Sequence, residues 1–298
     1  MPNLFTKISK KNTLRDNKSG QSRTDFENKS VHPSQLLIGS AQSVGRQRDH
    51  NEDALYTFTS VLSDGNSEEL FGLFIIADGM GGHKNGEIAS SVSIRVVVRY
   101  VIDQLYRILL DTQNGIPALG TSEILLGAVN EAQKAVLHQA SGGGTTLTIA
   151  LLLGDQLTIS HVGDSRAYLV NQDGRLQKIT KDHSLVQRLL DLKEISPEEA
   201  EKHPQKNILL KAIGQPETFQ ADTYTLQIPA GDGLMLCSDG LWGVISDAVI
   251  AKTLLTYHDP IIACQQLVDE ANNAGGPDNI SVILVKTTKD RDEKLIEK

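Results

Sequence analysis

The most regular pattern in the chain is a set of short apolar runs that end at polar corners. Residues 70–77 (LFGLFIIA) form an apolar run that stops at Asp78-Gly79, which is typical of a buried strand followed by a turn. Residues 233–237 and 280–285 predict two further buried strands. The sequence therefore places several strands in the core of the protein.

β-rich residues also predict a meander in the middle of the chain. The runs are residues 145–153, 156–162 and 166–170. The dipeptides at 154–155 and 163–164 are both Gly-Asp, which is typical of hairpin turns. We therefore expect three successive antiparallel strands here.

The helices that the apolar spacing predicts are grouped along the chain and do not alternate one by one with the strands. The spacing predicts helices over residues 87–110 and 122–139 and a helical stretch over residues 247–272. Residues 184–212 are polar and helix-like, with two prolines as interruptions. Blocks of strands and helices favour an α+β fold with largely antiparallel sheets over a doubly wound parallel sheet.

The two ends of the chain differ from its body. Residues 1–35 are rich in Ser, Asn, Lys and Gln, which predicts a disordered tail, and they carry seven Lys or Arg against three Asp or Glu. A docking role for these basic residues and a plain solvated tail are both open. One domain is expected over residues 36–286, followed by a charged C-terminal tail over residues 287–298.

Composition excludes several classes of protein. The net charge is −8 and the body is acidic, which argues against nucleic acid as a partner. No run of about 18 apolar residues is present, so we expect no membrane span. The first residues have no apolar signal-peptide core. The two cysteines, Cys237 and Cys264, suit a reducing compartment, and we expect a cytoplasmic protein.

Four aspartates lie at the ends of the predicted strands, beside Gly or Asn. They are Asp78, Asp164, Asp239 and Asp278. A carboxylate at a strand end is rigidly based and reachable from solvent, and Mg²⁺ and Mn²⁺ prefer oxygen ligands. A single Asp-Gly is more often only a turn, but crowded carboxylates repel each other unless cations neutralise them. From spacing alone, a divalent-metal site and a set of turns are both open.

The segment at residues 45–53 (GRQRDHNED) places cations beside acids. An arginine such as Arg48, held among metal-binding carboxylates, is suited to a two-pronged grip on a phosphate. Taken in isolation, the same segment is more simply explained as a cluster of surface salt bridges.

Seven segments, in this order, resemble the motifs of the metal-dependent (type 2C, or PPM) serine/threonine protein phosphatases, in the form typical of the bacterial branch. The resemblance covers 250 of the 298 residues. The segments are GRQRDHNED (45–53), IIADGMGGHKNGEIAS (75–90), GGGTTLTIALL (142–152), HVGDSRAYLV (161–170), ITKDHS (179–184), LCSDGLWG (236–243) and GGPDNISVILV (275–285).

The resemblance implies two packed antiparallel β-sheets flanked by helical layers, an α-β-β-α sandwich, with two Mg²⁺ or Mn²⁺ ions at one end. By position, it implies that Asp78 bridges both ions and that the Gly79 carbonyl binds one of them. Asp239 and Asp278 complete the protein ligands. Asp164, together with Asp239, matches a third, weaker metal position.

The resemblance also assigns the residues around the ions. It implies that Arg48 holds the substrate phosphate. Glu52 and Asp53 are expected to orient waters at the ions, and Asp53 is counted among the metal-binding residues. Residues 184–206 match a variable flap beside the third position. Two cations about 3.5–4 Å apart can share a water, lower its pKa and present it in line with the phosphorus.

The proton donor to the leaving serine or threonine oxygen is left open by the sequence. Many eukaryotic members of the family carry a His directly after Asp-Gly, where this chain has Met80. His83 is shared with the bacterial branch and is our candidate donor, with a water at the ions as the alternative. Cysteine-dependent phosphatases carry a Cys followed, after five residues, by an Arg. Starting from Cys237, the Arg position is occupied by Gly243, so a cysteine-dependent mechanism is excluded.

Together these inferences predict a Mg²⁺- or Mn²⁺-dependent hydrolase of phosphoserine and phosphothreonine in proteins. The enzyme would act as the functional counterpart of a Ser/Thr kinase, and its reaction would form no covalent phosphoenzyme. We expect it to bind neither nucleic acid nor a membrane. One alternative is an inactive family member that only binds phosphoproteins. Another is a metal-dependent hydrolase of a small phosphorylated molecule.

Overall fold

The chain is described by a computed structural model over residues 36–63, 68–81, 84–110 and 120–287. All of these residues belong to one compact unit, Pro33–Lys298. The predicted tails lie outside the described residues, except for Thr287 at the start of the second one. None of the described helices is long and apolar enough to cross a membrane.

The fold contains twelve strands within the described residues. They are β1 (Leu36–Ser43), β2 (Ala54–Ser63), β3 (Glu68–Ala77), β4 (Gly79–Met80), β5 (Gly144–Thr145), β6 (Leu147–Leu153), β7 (Gln156–Val162), β8 (Arg166–Val170), β9 (Leu176–Lys178), β10 (Asp222–Gln227), β11 (Gly233–Cys237) and β12 (Ile280–Thr287).

These strands form two five-stranded sheets and one small ribbon. The first sheet has the order β1-β12-β11-β8-β9, and the second has the order β10-β7-β6-β3-β2. β4 and β5 pair with each other beside them. Every pairing is antiparallel.

Seven helices accompany the strands in the described part of the chain. They are α1 (Lys84–Leu110), α2 (Thr121–Gln139), α3 (Leu185–Asp191), α4 (Pro197–Glu201), α5 (Asp239–Trp242), α6 (Asp247–Thr256) and α7 (Pro260–Asn273). α1 and α2 pack on the second sheet, and α5, α6 and α7 pack on the first. α3 and α4 lie in the flap segment between β9 and β10.

Side-chain alternation along the central strands produces three apolar layers. On β3, Phe74 and Ile76 point toward the first sheet, while Leu73 and Ile75 point toward α1 and α2. β11 and β12 divide their side chains in the same way between the opposite sheet and the helices on their other face. Because both faces of these strands are covered, they consist of nearly continuous apolar residues. The predicted α-β-β-α sandwich is confirmed.

One predicted turn is wrong in a way that affects the site. β6 and β7 form the expected hairpin, with Gly154 at φ +60°. The expected hairpin between β7 and β8 does not form, because these strands lie in different sheets. At the crossing, Gly163 has φ +107°, and a Cβ there would come within 2.6 Å of the Thr146 side chain. The crossing therefore brings Asp164 to the end of the sandwich.

The predicted helical stretch over residues 247–272 is two helices. α6 ends at Thr256, and α7 begins anew at Pro260. The side chain of Asp259 caps α7 by accepting a hydrogen bond from the backbone N–H of Ile261 at 2.8 Å. Proline has no backbone N–H to donate, so it suits the first turn of a new helix and not the interior of a longer one.

Candidate metal centre

Three of the predicted metal-binding residues lie at strand ends that meet at one edge of the sandwich. Asp78 follows β3 directly, and Asp239 comes two residues after the end of β11. Asp278 lies two residues before β12, the antiparallel neighbour of β11, with Cys237 paired to Val282. The end of β11 and the start of β12 therefore coincide, and this places Asp239 and Asp278 side by side.

The backbone at Asp78 is fixed by two threonines. Its N–H donates to the hydroxyl of Thr146 at 2.9 Å. Its carbonyl accepts from the backbone N–H of Thr146 at 2.8 Å and from the hydroxyl of Thr145 at 2.9 Å. The carboxylate thus stands on a backbone whose own polar groups are satisfied.

Gly79 lies where three chain segments approach closely. A Cβ at this position would come within 2.4 Å of the Gly86 carbonyl and 2.5 Å of the Glu52 carbonyl. The Glu52 carbonyl also accepts a hydrogen bond of 2.6 Å from the hydroxyl of Ser90 on α1. Any larger residue at 79 would push apart the segments that carry the predicted site.

Asp53 is buried below the cluster. Its Oδ2 accepts hydrogen bonds from the hydroxyls of Ser281 at 2.7 Å and Ser238 at 2.8 Å. Its Oδ1 has no hydrogen-bond partner among the described residues. Burial raises the pKa of Asp53 to about 7, against the lowering effect of the two serine hydroxyls.

The carboxylates at this edge act on one another electrostatically. Burial raises the pKa of Asp78 well above its ordinary value, and the charges of Asp53, Asp239 and Asp164 raise it further. The pKa of Asp239 is raised to about 6, first by burial and then by the charge of Asp278. Negative charge is therefore concentrated here beyond what the neighbouring cations compensate.

Arg48 lies at the rim of this cluster and contacts Asp278. Its Nη2 donates to Oδ2 of Asp278 at 2.7 Å, and the Arg48 side chain is 52% exposed. This hydrogen bond raises the pKa of Arg48, opposed by partial burial. Among the described residues, no group of three or more His, Cys, Asp or Glu side chains is already arranged so that it could hold a metal ion.

Asn279 organises the loop that carries Arg48 and Glu52, and sequence analysis did not assign it a role. Its side-chain oxygen accepts from the backbone N–H of Glu52 at 2.8 Å. Its side-chain nitrogen donates to the carbonyls of Val44 at 2.8 Å and His50 at 2.9 Å. The Asp278-Asn279 pair in the sequence could have indicated this role. A side-chain amide can both donate and accept hydrogen bonds, as a residue that anchors a loop must do.

Asp164, the predicted ligand of a third ion, is buried at the crossing between the sheets. Its pKa is raised first by burial and then by the charges of Asp239 and Asp182. The structure therefore brings Asp53, Asp78, Asp164, Asp239 and Asp278 to one end of the sandwich. His83 lies outside the described residues.

The geometry of the described residues supports neither a cysteine nucleophile nor a Ser-His-Asp triad. Cys237 is buried, and burial raises the pKa of its thiol to about 12, so it carries no reactive thiolate. Asp182, His183 and Ser184 do not act on one another as a triad. Asp182 binds Arg166, His183 accepts from the backbone of Gly163, and Ser184 caps α3.

The donor set fits a hard divalent cation. All candidate ligands are oxygens, and the buried Oδ1 of Asp53 has no partner among the described residues. Bringing several carboxylates together out of water costs free energy unless positive charge accompanies them. Mg²⁺ and Mn²⁺ prefer such oxygen-rich sites.

Comparisons with known proteins agree with this geometry. The family model described as protein phosphatase 2C matches residues 42–272. The serine/threonine phosphatase stp of Listeria monocytogenes is 36% identical over 261 aligned positions, and the alignment covers 83% of this chain and 96% of that protein. Protein phosphatase PhpP of Streptococcus pneumoniae is 36% identical over 263 aligned positions, and the alignment covers 86% of this chain and 99% of that protein.

A solved structure extends the comparison to three dimensions. The catalytic domain of the serine/threonine protein phosphatase PstP, in complex with two manganese ions, has a TM-score of 0.68 and 31% identity. The match covers 85% of this chain and 99% of that one. The sandwich and its carboxylate cluster thus define a metal-dependent phosphatase. The chain belongs to the protein phosphatase 2C family, which confirms the resemblance drawn from the seven motifs.

Proposed function

We propose that the chain hydrolyses phosphoserine and phosphothreonine in proteins with a metal-activated water and without a covalent phosphoenzyme. The observation that carries this proposal is the cluster of aspartates at one end of the sandwich, with the arginine Arg48 at its rim. A phosphomonoester dianion repels hydroxide, so a site for its hydrolysis has to combine bound cations with a residue that grips the phosphate.

The residues that would hold the ions are those whose charges meet in the cluster. Asp78, Gly79, Asp239 and Asp278 would hold two ions, and Asp164 with Asp239 would hold a third, weaker one. When bound, Mg²⁺ or Mn²⁺ supplies the positive charge that lowers the pKa of a water and neutralises phosphate oxygens.

Arg48 is proposed to bind the substrate phosphate. Its guanidinium is half exposed and lies beside the carboxylates, so a phosphate entering the cluster meets its N–H groups. Asp278 engages only Nη2 of Arg48, so the other N–H groups of the guanidinium remain available for a phosphate while Arg48 still contacts Asp278.

Glu52 and Asp53 are proposed to orient waters at the reacting centre. Asp53 is held by its two serine partners through Oδ2, which leaves Oδ1 as an acceptor aimed at no protein donor among the described residues. The backbone of Glu52 is fixed by Asn279 and Ser90. The Glu52 carboxylate contacts Nε2 of His50 through Oε1 at 2.9 Å, so both carboxylates are held in place and can accept hydrogen bonds from a water.

His83 is proposed to give a proton to the leaving serine or threonine oxygen. An alkoxide leaving group is a strong base, so its departure needs a proton from a group whose pKa lies near the working pH. Imidazole has an ordinary pKa in this range. A water at the ions is the alternative donor.

The direct test is turnover by the purified full chain. With Mn²⁺ it should release phosphate from phosphoserine and phosphothreonine peptides, and an excess of EDTA should abolish the release. Asp239→Asn should lower kcat by about 100-fold or more, the scale expected when a group that stabilises transition-state charge is lost. Asp155→Asn, the same change at an exposed turn, is the matched control and should retain activity. Full turnover in EDTA would contradict the proposal.

The same assay separates the two alternatives. An inactive phosphoprotein-binding protein would bind the phosphopeptides and release no phosphate. A hydrolase of small molecules would turn over phosphorylated metabolites much faster than phosphopeptides. The presence of all the expected carboxylates favours turnover.

A Ser/Thr kinase that phosphorylates the same proteins is the proposed functional counterpart, and the cytoplasm is the proposed location. The kinase follows from the chemistry, because a phosphatase of this kind needs a source of phosphoserine and phosphothreonine in its own compartment. The proposed location rests on the two unpaired cysteines, Cys237 and Cys264, which suit a reducing compartment. Deleting this chain in cells should raise phosphorylation on the kinase's substrates, measured by phosphoproteomics of soluble extracts. Unchanged phosphorylation would contradict the pairing.

A further inference from the structure

Trp242 connects two of the predicted metal-binding residues. It lies three residues after Asp239 in the single turn of α5, so the same turn carries both side chains. Its indole Nε1 donates a hydrogen bond to the backbone carbonyl of Asp164 at 3.0 Å. Asp164 and Asp239 are far apart in sequence, and the indole is a direct link between the backbone segments that hold their carboxylates.

Arg166 fixes the ring of Trp242 from one face. The central carbon of its guanidinium lies 3.4 Å from the centre of the ring, a close cation–π contact. The guanidinium is itself fixed by the buried Asp182, with Nη2 to Oδ2 at 2.7 Å and Nε to Oδ1 at 3.1 Å. A planar group held by a two-pronged ion pair cannot leave the ring easily, so the indole is held in one orientation.

The loop of Asp164 is also held from its other side. The N–H of Gly163 donates to Nδ1 of His183 at 3.1 Å, and the N–H of His183 donates to the Gly163 carbonyl at 2.7 Å. His183 follows Asp182 in sequence, so one segment supports both the stack of Arg166 on Trp242 and the hydrogen bonds to Gly163. Trp242 and His183 together hold the loop at two successive residues, Asp164 and Gly163, and we call these contacts the clamp.

The clamp works against an electrostatic force. Asp164 is buried, and the indole of Trp242 links its backbone to the turn that carries Asp239, so two groups of like charge are held near each other and repel. A free loop would relax by moving Asp164 away from Asp239. A loop that is tied at Gly163 and Asp164 keeps the repulsion, and a divalent cation between the two carboxylates relieves it.

We propose that Trp242 and Arg166 are positioning residues that keep Asp164 beside Asp239 and thereby set the affinity of the third, weaker metal position. This inference rests on the proposed function for the existence of that position. It gives Trp242 a role beyond packing. It also separates Asp164, which the clamp holds, from Asp78 and Asp278, to which neither Trp242 nor Arg166 is hydrogen-bonded in the described part of the chain.

Calorimetric titration of the full chain with Mn²⁺ tests the proposal without using turnover. Trp242→Phe keeps an aromatic ring under Arg166 but removes the N–H donor. It should leave the two tighter ions within about twofold of the unsubstituted chain and weaken the third by about tenfold, which corresponds to about 1.4 kcal/mol. Arg166→Met, which removes the cation over the ring, should weaken the third ion similarly, and Arg166→Lys should do so less.

Lys178→Met is the matched control. Lys178 also approaches Asp182, at 3.5 Å, but the cation stacked on the indole ring is Arg166. Its replacement removes a cation from the same carboxylate and should leave the affinity of all ions unchanged. A weakening equal to that of Arg166→Met would show that the charge at Asp182 matters and not the stack, and would overturn the proposal.

A double substitution distinguishes positioning from general stabilisation. If Trp242 acts through Asp164, Trp242→Phe should change Mn²⁺ binding no further when Asp164→Asn is already present. Additive losses would overturn the proposal, and so would a third ion that binds equally well to Trp242→Phe. If Trp242→Phe does not fold, the same comparison with Arg166→Met decides.

Failure of this inference and failure of the proposed function give different results. A chain that takes up only two Mn²⁺ ions but hydrolyses phosphopeptides would overturn the positioning role alone. A chain that shows the selective weakening but releases no phosphate would overturn the proposed function and leave the clamp in place.

Discussion

The guanidinium of Arg48 donates to the carboxylate of Asp278 at 2.7 Å, so the proposed phosphate-binding residue contacts a proposed metal-binding residue. The Arg48 side chain is 52% exposed and that of Asp278 is 33% exposed. Exposed ion pairs of this kind are worth about 1 kcal/mol or less, so this one can open readily when a cation and a phosphate arrive. The pair keeps Arg48 at the cluster before substrate binds.

Replacing Arg48 should affect the substrate and spare the metal. Arg48→Ala should raise KM for a phosphopeptide by about 10- to 100-fold, because charge-assisted hydrogen bonds worth about 1.5–3 kcal/mol are lost. Mn²⁺ affinity, measured by calorimetry, should not fall, since Asp278 loses a competing partner. Arg48→Lys should give an intermediate KM. An unchanged KM in Arg48→Ala would show that the phosphate is held elsewhere.

The second prediction concerns the serines that donate hydrogen bonds to Asp53 and their contribution to the free energy of unfolding. Ser281→Ala removes a 2.7 Å hydrogen bond from a buried carboxylate and should lower the free energy of unfolding by about 1–3 kcal/mol, measured in urea without metal. Ser160→Ala is the matched control. The Ser160 hydroxyl is buried and has no partner in the described part of the chain, so its loss should cost little. Equal effects of the two substitutions would contradict the role given to Ser281.

The parts of the fold that could be predicted from sequence are its central strands. β3, β11 and β12 are covered on both faces, so they appear as continuous apolar runs. β1, β2, β9 and β10 were not predicted, and all four are edge strands of the two sheets. An edge strand leaves part of its surface to solvent and carries polar residues there, which weakens the apolar signal. β9, for example, reads LQK, with no apolar alternation to detect.

The aspartates of the site could be predicted, but their supports could not. Asp78 and Asp239 stand out because each follows a buried run. Ser281 and Asn279 look like ordinary turn or strand residues, and their roles arise only when distant segments meet. Ser281 is separated from Asp53 by 228 positions in the sequence, and the contact joins β12 of one sheet to the segment before β2 of the other. The local pattern of apolar and polar residues decides which face of a strand is buried, but it does not specify which distant segments meet.

The proposed proton donor can be tested through the leaving group. The phenol leaving p-nitrophenyl phosphate is acidic and departs without a proton, whereas a serine oxygen does not. His83→Gln should therefore lower kcat for a phosphoserine peptide by about 100-fold and change kcat for p-nitrophenyl phosphate by less than about twofold. His138→Gln, at the exposed end of α2, is the control. Equal effects on both substrates would assign the proton to a water and not to His83.

His161 makes the chain sensitive to acid. It is fully buried between the hydroxyl of Thr148, which bonds to Nδ1 at 2.9 Å, and the carbonyl of Lys181, which accepts from Nε2 at 3.2 Å. Its ring stacks on that of His183 at 4.9 Å. Burial, followed by the charge of His183, lowers the pKa of His161 to about 3 from an ordinary value of 6.5.

Because the pKa of His161 is lowered on folding, the unfolded chain binds one more proton than the folded chain between pH 6.5 and about 3. Stability from this group is therefore present above pH 6.5 and is lost as the pH falls. Between pH 7 and pH 5 this loss is about 2 kcal/mol.

His161→Gln does not titrate and can still donate to the Lys181 carbonyl. The free energy of unfolding is measured in urea with EDTA at both pH values. Between pH 7 and pH 5 it should fall by about 2 kcal/mol less in the variant than in the unsubstituted chain, because the response of the carboxylates is shared and cancels in this comparison. The same loss in both proteins would mean that His161 is already charged in the folded state.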